Sequence, residues 1–181
     1  MKHRRYINTV KKPSLIIAAL TIMFKFSHAQ EIKPNTIVRV DSTSFITSQN
    51  QPEIMVVFNS KNTYINKVPR HRNPDMTFDL QDKNSLLKAF RKVFNESRLE
   101  QLLPERFMQM TLYANTSGRV LAVTFFLNKN TVVTAQELED LENTIKANVW
   151  FKLRPDEIKD QDFFDIVEAV RYSRVLDKTL Q

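Results

Sequence analysis

The sequence predicts an α+β fold: a small, mostly antiparallel sheet built from a hairpin at 106–127 and a strand at 149–153, packed by helices at 84–103, 134–148 and 157–176. Three observations carry this expectation. The only glycine, Gly118, falls between two apolar runs, where a hairpin turn needs a residue free to take positive φ. Thr134 and Glu137 have the Thr-x-x-Glu spacing of a capping box, and Leu138, Leu141 and Ile145 follow at helical intervals. Val149, Phe151 and Leu153 alternate with Trp150 and Lys152, and Arg154-Pro155 closes the run, because the residue before a proline is steered away from helix.

The first residues read as an export signal. Lys2, Arg4, Arg5, Lys11 and Lys12 precede the apolar run from Leu15 to Phe24, and Ser27-His28-Ala29 offers small residues for cleavage before Gln30. The run is shorter than the roughly 20 apolar residues that cross a bilayer. No cysteine follows it to carry a lipid anchor. A signal peptide over 1–29 therefore predicts a periplasmic or secreted product with no stable membrane anchor after cleavage. Cleavage takes six of the 27 basic residues and none of the 20 acidic ones, so the formal charge falls from +7 to +1. The high isoelectric point of the whole chain then gives no support to nucleic-acid binding. Lack of cysteine also excludes disulfides, zinc-thiolate sites and thiol chemistry.

Residues 30–50 read as an extended N-terminal arm with short β-branched runs at Thr36–Val40 and Ser44–Thr47, and 51–181 as a single α+β domain. Glu53 to Phe58 is a buried strand by composition; Asn59 to Asn62 turns the chain, and Thr63 to Lys67 is its expected partner. Val68 to Met76 reads as an ordered surface loop. From Asp82 to Leu103 the stripe Leu86, Phe90, Val93 and Phe94 is helical, and its phase slips near Asn95-Glu96, which predicts a bend or two helices.

In the hairpin, Asn115-Thr116-Ser117-Gly118 suits a type I turn followed by a left-handed residue, and pairing Asn115 with Arg119 sets the register. One face then carries Met108, Met110, Leu112 and Ala114 opposite Val120, Ala122, Thr124 and Phe126. Both faces are largely apolar, so each needs a cover. The C-terminal helix, 157–176, follows proline and acids and repeats Phe163, Phe164, Val167 and Val170.

The succession from Leu86 to Leu153, with the Ser117-Gly118-Arg119-Val120 turn entering an outgoing strand and a capped helix after it, resembles in topology the C-terminal domain of TonB and TonB-like envelope proteins. The Tyr-Pro element before the first TonB helix, a retained anchor and a proline-rich spacer are missing, so the resemblance implies no TonB binding residue and no energy-transducing role. The whole chain also resembles the short exported proteins of unknown function found in Gram-negative gut bacteria, which implies no activity.

Candidate chemistry is sparse. His71, the one histidine after the signal, sits between Arg70 and Arg72; together they could clamp an anion, or form a solvated loop, since adjacent side chains of an extended segment point to opposite sides. The acid pairs Glu137 with Asp140 and Asp156 with Asp160 lie near helix starts, where helix electrostatics explains them without catalysis. Ser117 lacks a nucleophile-elbow context. No metal site and no cofactor is expected. Met108, Met110 and Phe126 could line an apolar ligand pocket, or be core. Trp150 could anchor a partner, or lie under the C-terminal helix beside Phe163 and Phe164. The expected function is a non-enzymatic binding domain for an envelope or extracellular protein, acting through an open sheet edge or Trp150. A carrier of a small apolar ligand and a hydrolase of envelope or dietary polymer are the alternatives.

Overall fold

The computed structural model describes residues 30–69, 78–153 and 162–179. The expected signal peptide and the Arg70, His71 and Arg72 cluster lie outside the described residues, as do Asp156 and Asp160. The elements in chain order are β1 (Ile37–Val40), β2 (Thr43–Gln51), β3 (Ile54–Asn59), β4 (Asp79–Leu80), α1 (Ser85–Val93), α2 (Glu96–Leu102), a short 3-10 turn (Leu103–Glu105), β5 (Phe107–Ala114), β6 (Val120–Asn128), α3 (Ala135–Asn148), β7 (Phe151–Lys152), β8 (Phe164–Arg171) and α4 (Tyr172–Leu176). Among the described residues, six strands form one antiparallel sheet in the order β1-β2-β3-β6-β5-β8, and β4 with β7 makes a separate ribbon. The fold is α+β, as the sequence predicts.

The helices share one face of the sheet. Val38, Phe45, Met55, Val57, Met108, Met110, Leu112, Val123, Phe125 and Ile166 are buried there against Leu86, Phe90, Leu99, Leu138, Leu141 and Ile145. The slip expected at Asn95 is real: α1 ends at Phe94, and the Asn95 side chain accepts from Arg98 N to start α2. The capping box of α3 is complete, with Thr134 Oγ1 accepting from Glu137 N and Glu137 Oε2 accepting from Thr134 N.

No helix among the described residues packs on the other face. The loop after β3 covers one end of it, where Tyr64 stacks on Tyr113 at 5.8 Å and Asn62 Nδ2 donates to Thr124 Oγ1. Toward the opposite end, Phe107 and Val167 stand exposed.

Several expectations are corrected. Residues 30–50 are more than an extended arm; they supply β1 and all but the last residue of β2, which bury Val38, Val40, Phe45 and Thr47 in the sheet. The strand β3 pairs with β2 and β6, not with Thr63–Lys67. The strand expected at 149–153 shrinks to Phe151–Lys152 and pairs with β4; only an isolated bridge, Arg119 with Trp150, ties it to the main hairpin.

Within the described part of 157–176, Phe164–Arg171 is a strand and only Tyr172–Leu176 is helical. Phe164, Ile166 and Val170 also fit a period of two, and the run is rich in β-branched residues. The free edge of β5 decides the ambiguity, pairing with this segment along its full length. The hairpin register is right at the turn and slips beyond it: Ala114 pairs with Val120, but Tyr113 pairs with Ala122, so Leu121 is an extra residue in a bulge. Val123, Phe125 and Leu127 consequently face the helices, and Phe126 turns to the other side.

Candidate functional site

Trp150 is 37% exposed, with the Arg119 guanidinium 6.0 Å from its ring centroid. Its backbone is fixed: Gln81 N donates to Trp150 O, and Phe151 N donates to Gly118 O. Among the described residues of the segment expected to cover Trp150 as a helix, Phe164–Arg171 is a strand, Phe163 packs on Tyr64 and Tyr113, and Phe164 packs on Phe78.

Met108 and Met110 are fully buried among the helices, while Phe126, half-buried, pairs with Gln109 on the opposite face. The bulge at Leu121 separates them, so these three do not line one cavity.

Glu137 is committed to structure. Besides capping α3, its carboxylate accepts from Arg98 Nε at 2.6 Å and Nη2 at 3.0 Å, and Arg98 also donates to Val132 O. That bidentate pair holds Arg98 more firmly in its charged form. Glu105 accepts from Thr131 Oγ1 and Val132 N, fixing the same connection from below. The buried Tyr172 hydroxyl has no hydrogen-bond partner among the described residues, and burial pushes its pKa up. Tyr172→Phe removes an unsatisfied group, so thermal melting should show unchanged stability or a gain of up to about 1 kcal/mol.

Glu142, 3% exposed, accepts from Asn59 Nδ2 at 3.2 Å, with Lys146 Nζ at 3.8 Å. Burial pushes its carboxyl above the usual range, an effect the Asn59 and Lys146 contacts partly offset. The folded chain therefore keeps this proton to higher pH than the unfolded chain. Its stabilisation is complete below the ordinary value of 4.5 and is lost as pH rises through the folded pKa. Glu142→Gln cannot titrate. In urea unfolding across the acid-to-neutral range, the variant's stability relative to wild type should rise with pH; a flat or falling difference would refute the buried-carboxyl account.

The remaining feature is β8. Among the described residues it pairs only with β5, so it is an edge of the sheet. The bond from Tyr172 N to Arg106 O, in the same register, directs the even-numbered backbone groups of β8 toward β5. Val167, Ala169 and Arg171 thus turn their N–H and C=O groups outward. Their side chains line the face opposite the described helices, where Val167 is 60% exposed and lies beside Thr111. On the helix side of the same strand, Glu168 is half-buried beside Met110, and burial pushes its carboxyl pKa up. An inward carboxylate on an edge strand opposes indiscriminate pairing.

At the end of this edge, Arg106, Phe107, Arg171, Leu103 and Ser173 line an open cleft of about 400 Å³. Arg106 has φ 66°, an uncommon conformation for a residue with a Cβ, and is held by bonds from its N to Leu103 O and from Tyr172 N to its O. Sequence reasoning missed this edge because it read the segment as a helix; the alternation of Phe164, Ile166 and Val170 was the available signal.

No protein-family model matches the chain, and no curated protein matches it. Among solved structures, it is similar to the crystal structure of a DUF5043 family protein from Bacteroides uniformis, with a TM-score of 0.63 and 14% sequence identity over 77% of this chain and 92% of that one. The likeness shows a shared fold. It also agrees with the resemblance to uncharacterised proteins of gut bacteria.

Proposed function

We propose that the chain is an exported, non-enzymatic binding domain of the periplasm or extracellular space, which recruits an extended segment of another protein as a further strand on β8. One observation carries the reading: an eight-residue strand at the sheet edge, with the backbone groups of Val167, Ala169 and Arg171 directed outward. Such groups supply the hydrogen bonds of an added strand, and alternating side chains supply its specificity. The opposite edge, β1, has only four residues and offers a shorter template. The likeness of residues 86–153 to the TonB C-terminal domain brings no residue into this reading. Trp150, exposed beside Arg119, belongs to it as a secondary contact.

Proline at Val167 removes an outward donor and leaves the β5 ladder intact, whereas threonine keeps the donor. In pull-downs from envelope extract, a protein retained by wild type and Val167→Thr should be lost from Val167→Pro. Equal retention by both variants would refute binding at this edge.

A further inference from the structure

Resting on strand addition at β8, we infer that the recruited segment belongs to a different protein and is acidic: a carboxylate enters the cleft between Arg106 and Arg171, and an apolar side chain covers Val167. Charge complementarity is the ground. The outward row begins at Asp165, beside Tyr113 at the far end of β8, and from there runs Val167, Ala169, Arg171, whose neighbours across β5 are Thr111, Gln109 and Phe107. From Val167 onward, apolar and neutral groups therefore lead into a cationic end, and the one acid of the row, Asp165, lies at its opposite end. Neither Arg106 nor Arg171 has an ion-pair partner among the described residues, and both line the cleft with Phe107. A carboxylate on the added strand is the group that two unpaired guanidiniums beside exposed apolar surface recognise best.

Glu168 argues against a second copy of this chain as the occupant. In the two-fold antiparallel register that would bring Arg171 against the partner copy's Asp165, each Glu168 would stand opposite the other on the helix side. Like charges directly opposed across a ladder disfavour it. An acidic segment avoids this clash because side chains alternate: its carboxylate lies on the outward row, and the residue beside Glu168 lies on the other face.

The test is selection of a random displayed peptide library on the whole chain, with amide exchange to locate binding. Enriched peptides should carry an Asp or Glu near an apolar residue, and should protect the amides of Val167, Ala169 and Arg171. Their affinity should fall at least about tenfold on Arg106→Gln/Arg171→Gln, and partly on Arg171→Gln alone, which leaves the strained Arg106 untouched. Both positions are exposed, and melting temperatures check that the variants fold.

Enriched peptides that lack acids, or that bind the variants equally well while protecting β8, would overturn the acidic specificity and leave strand addition standing. A β8-paired dimer of the chain in sedimentation would likewise overturn it. No enrichment, or enrichment that leaves β8 exchange unchanged, would remove both readings.

Discussion

Gly118→Ala should destabilise the protein by at least about 3 kcal/mol, lowering the melting temperature by about 6–12 °C for a domain of this size. Two independent effects add. Gly118 has φ +81°, where an L side chain is strained, and a Cβ built there would lie 2.0 Å from Phe151 O. That oxygen is backbone, so relief requires β7 to move away from the turn. Phe151 N donates to Gly118 O, and such a movement breaks this bond as well. The turn itself is held by Gly118 N to Asn115 O, and by Asn115 Oδ1 accepting from Ser117 N, Ser117 Oγ and Arg119 N. Ser117→Ala is the control. It removes one exposed side-chain bond and should cost less than about 1 kcal/mol. If thermal melting ranks the two variants the other way, the docking of β7 on the turn is wrong.

Glu137→Ala should cost about 2–3 kcal/mol in urea unfolding, because it removes the reciprocal half of a capping box and leaves a partly buried arginine without its carboxylate partner. Arg98 and Glu137 are 21% and 19% exposed, so solvent screens the pair weakly. Glu137→Gln keeps the amide oxygen for Thr134 N and loses the charge, and should fall between the two. A double-mutant cycle with Arg98→Met should return a coupling of about 1–2 kcal/mol. Additive single effects would mean that Arg98 finds sufficient partners in Val132 O and Gln101.

What the sequence disclosed follows from how local each signal is. The Gly118 turn and the Thr134–Glu137 box are written in hydrogen bonds between residues a few positions apart, so their residue types alone identify them. Alternation with Val149 and Phe151 put Trp150 on the other side of its segment but left open whether the C-terminal helix would cover it. By contrast, the bulge at Leu121 has no local mark, and it moved Phe126 away from Met108 and Met110 by reversing the faces of β6. The strands β1 and β2 are half polar, and their apolar residues declare a face only once β3 lies beside them. β8 was ambiguous for a similar reason: Phe163, Phe164, Val167 and Val170 suit a helix while Phe164, Ile166 and Val170 suit a strand, and only the unpaired side of β5 decides between them. The candidate site lies on β8, so its outward row could not be read until the pairing was known.

That pairing also yields the measurement closest to the central claim. Residue-resolved amide exchange of the whole chain should show an alternating pattern along β8: slow exchange at Ile166, Glu168 and Val170, whose N–H groups face β5, and fast exchange at Val167, Ala169 and Arg171. On addition of a segment selected for binding, the fast set should become protected while the β1 amides stay unchanged or nearly so. Uniform protection of β8 before any addition, or protection that appears at β1 and leaves Val167, Ala169 and Arg171 fast, would contradict an open β8 edge as the binding site.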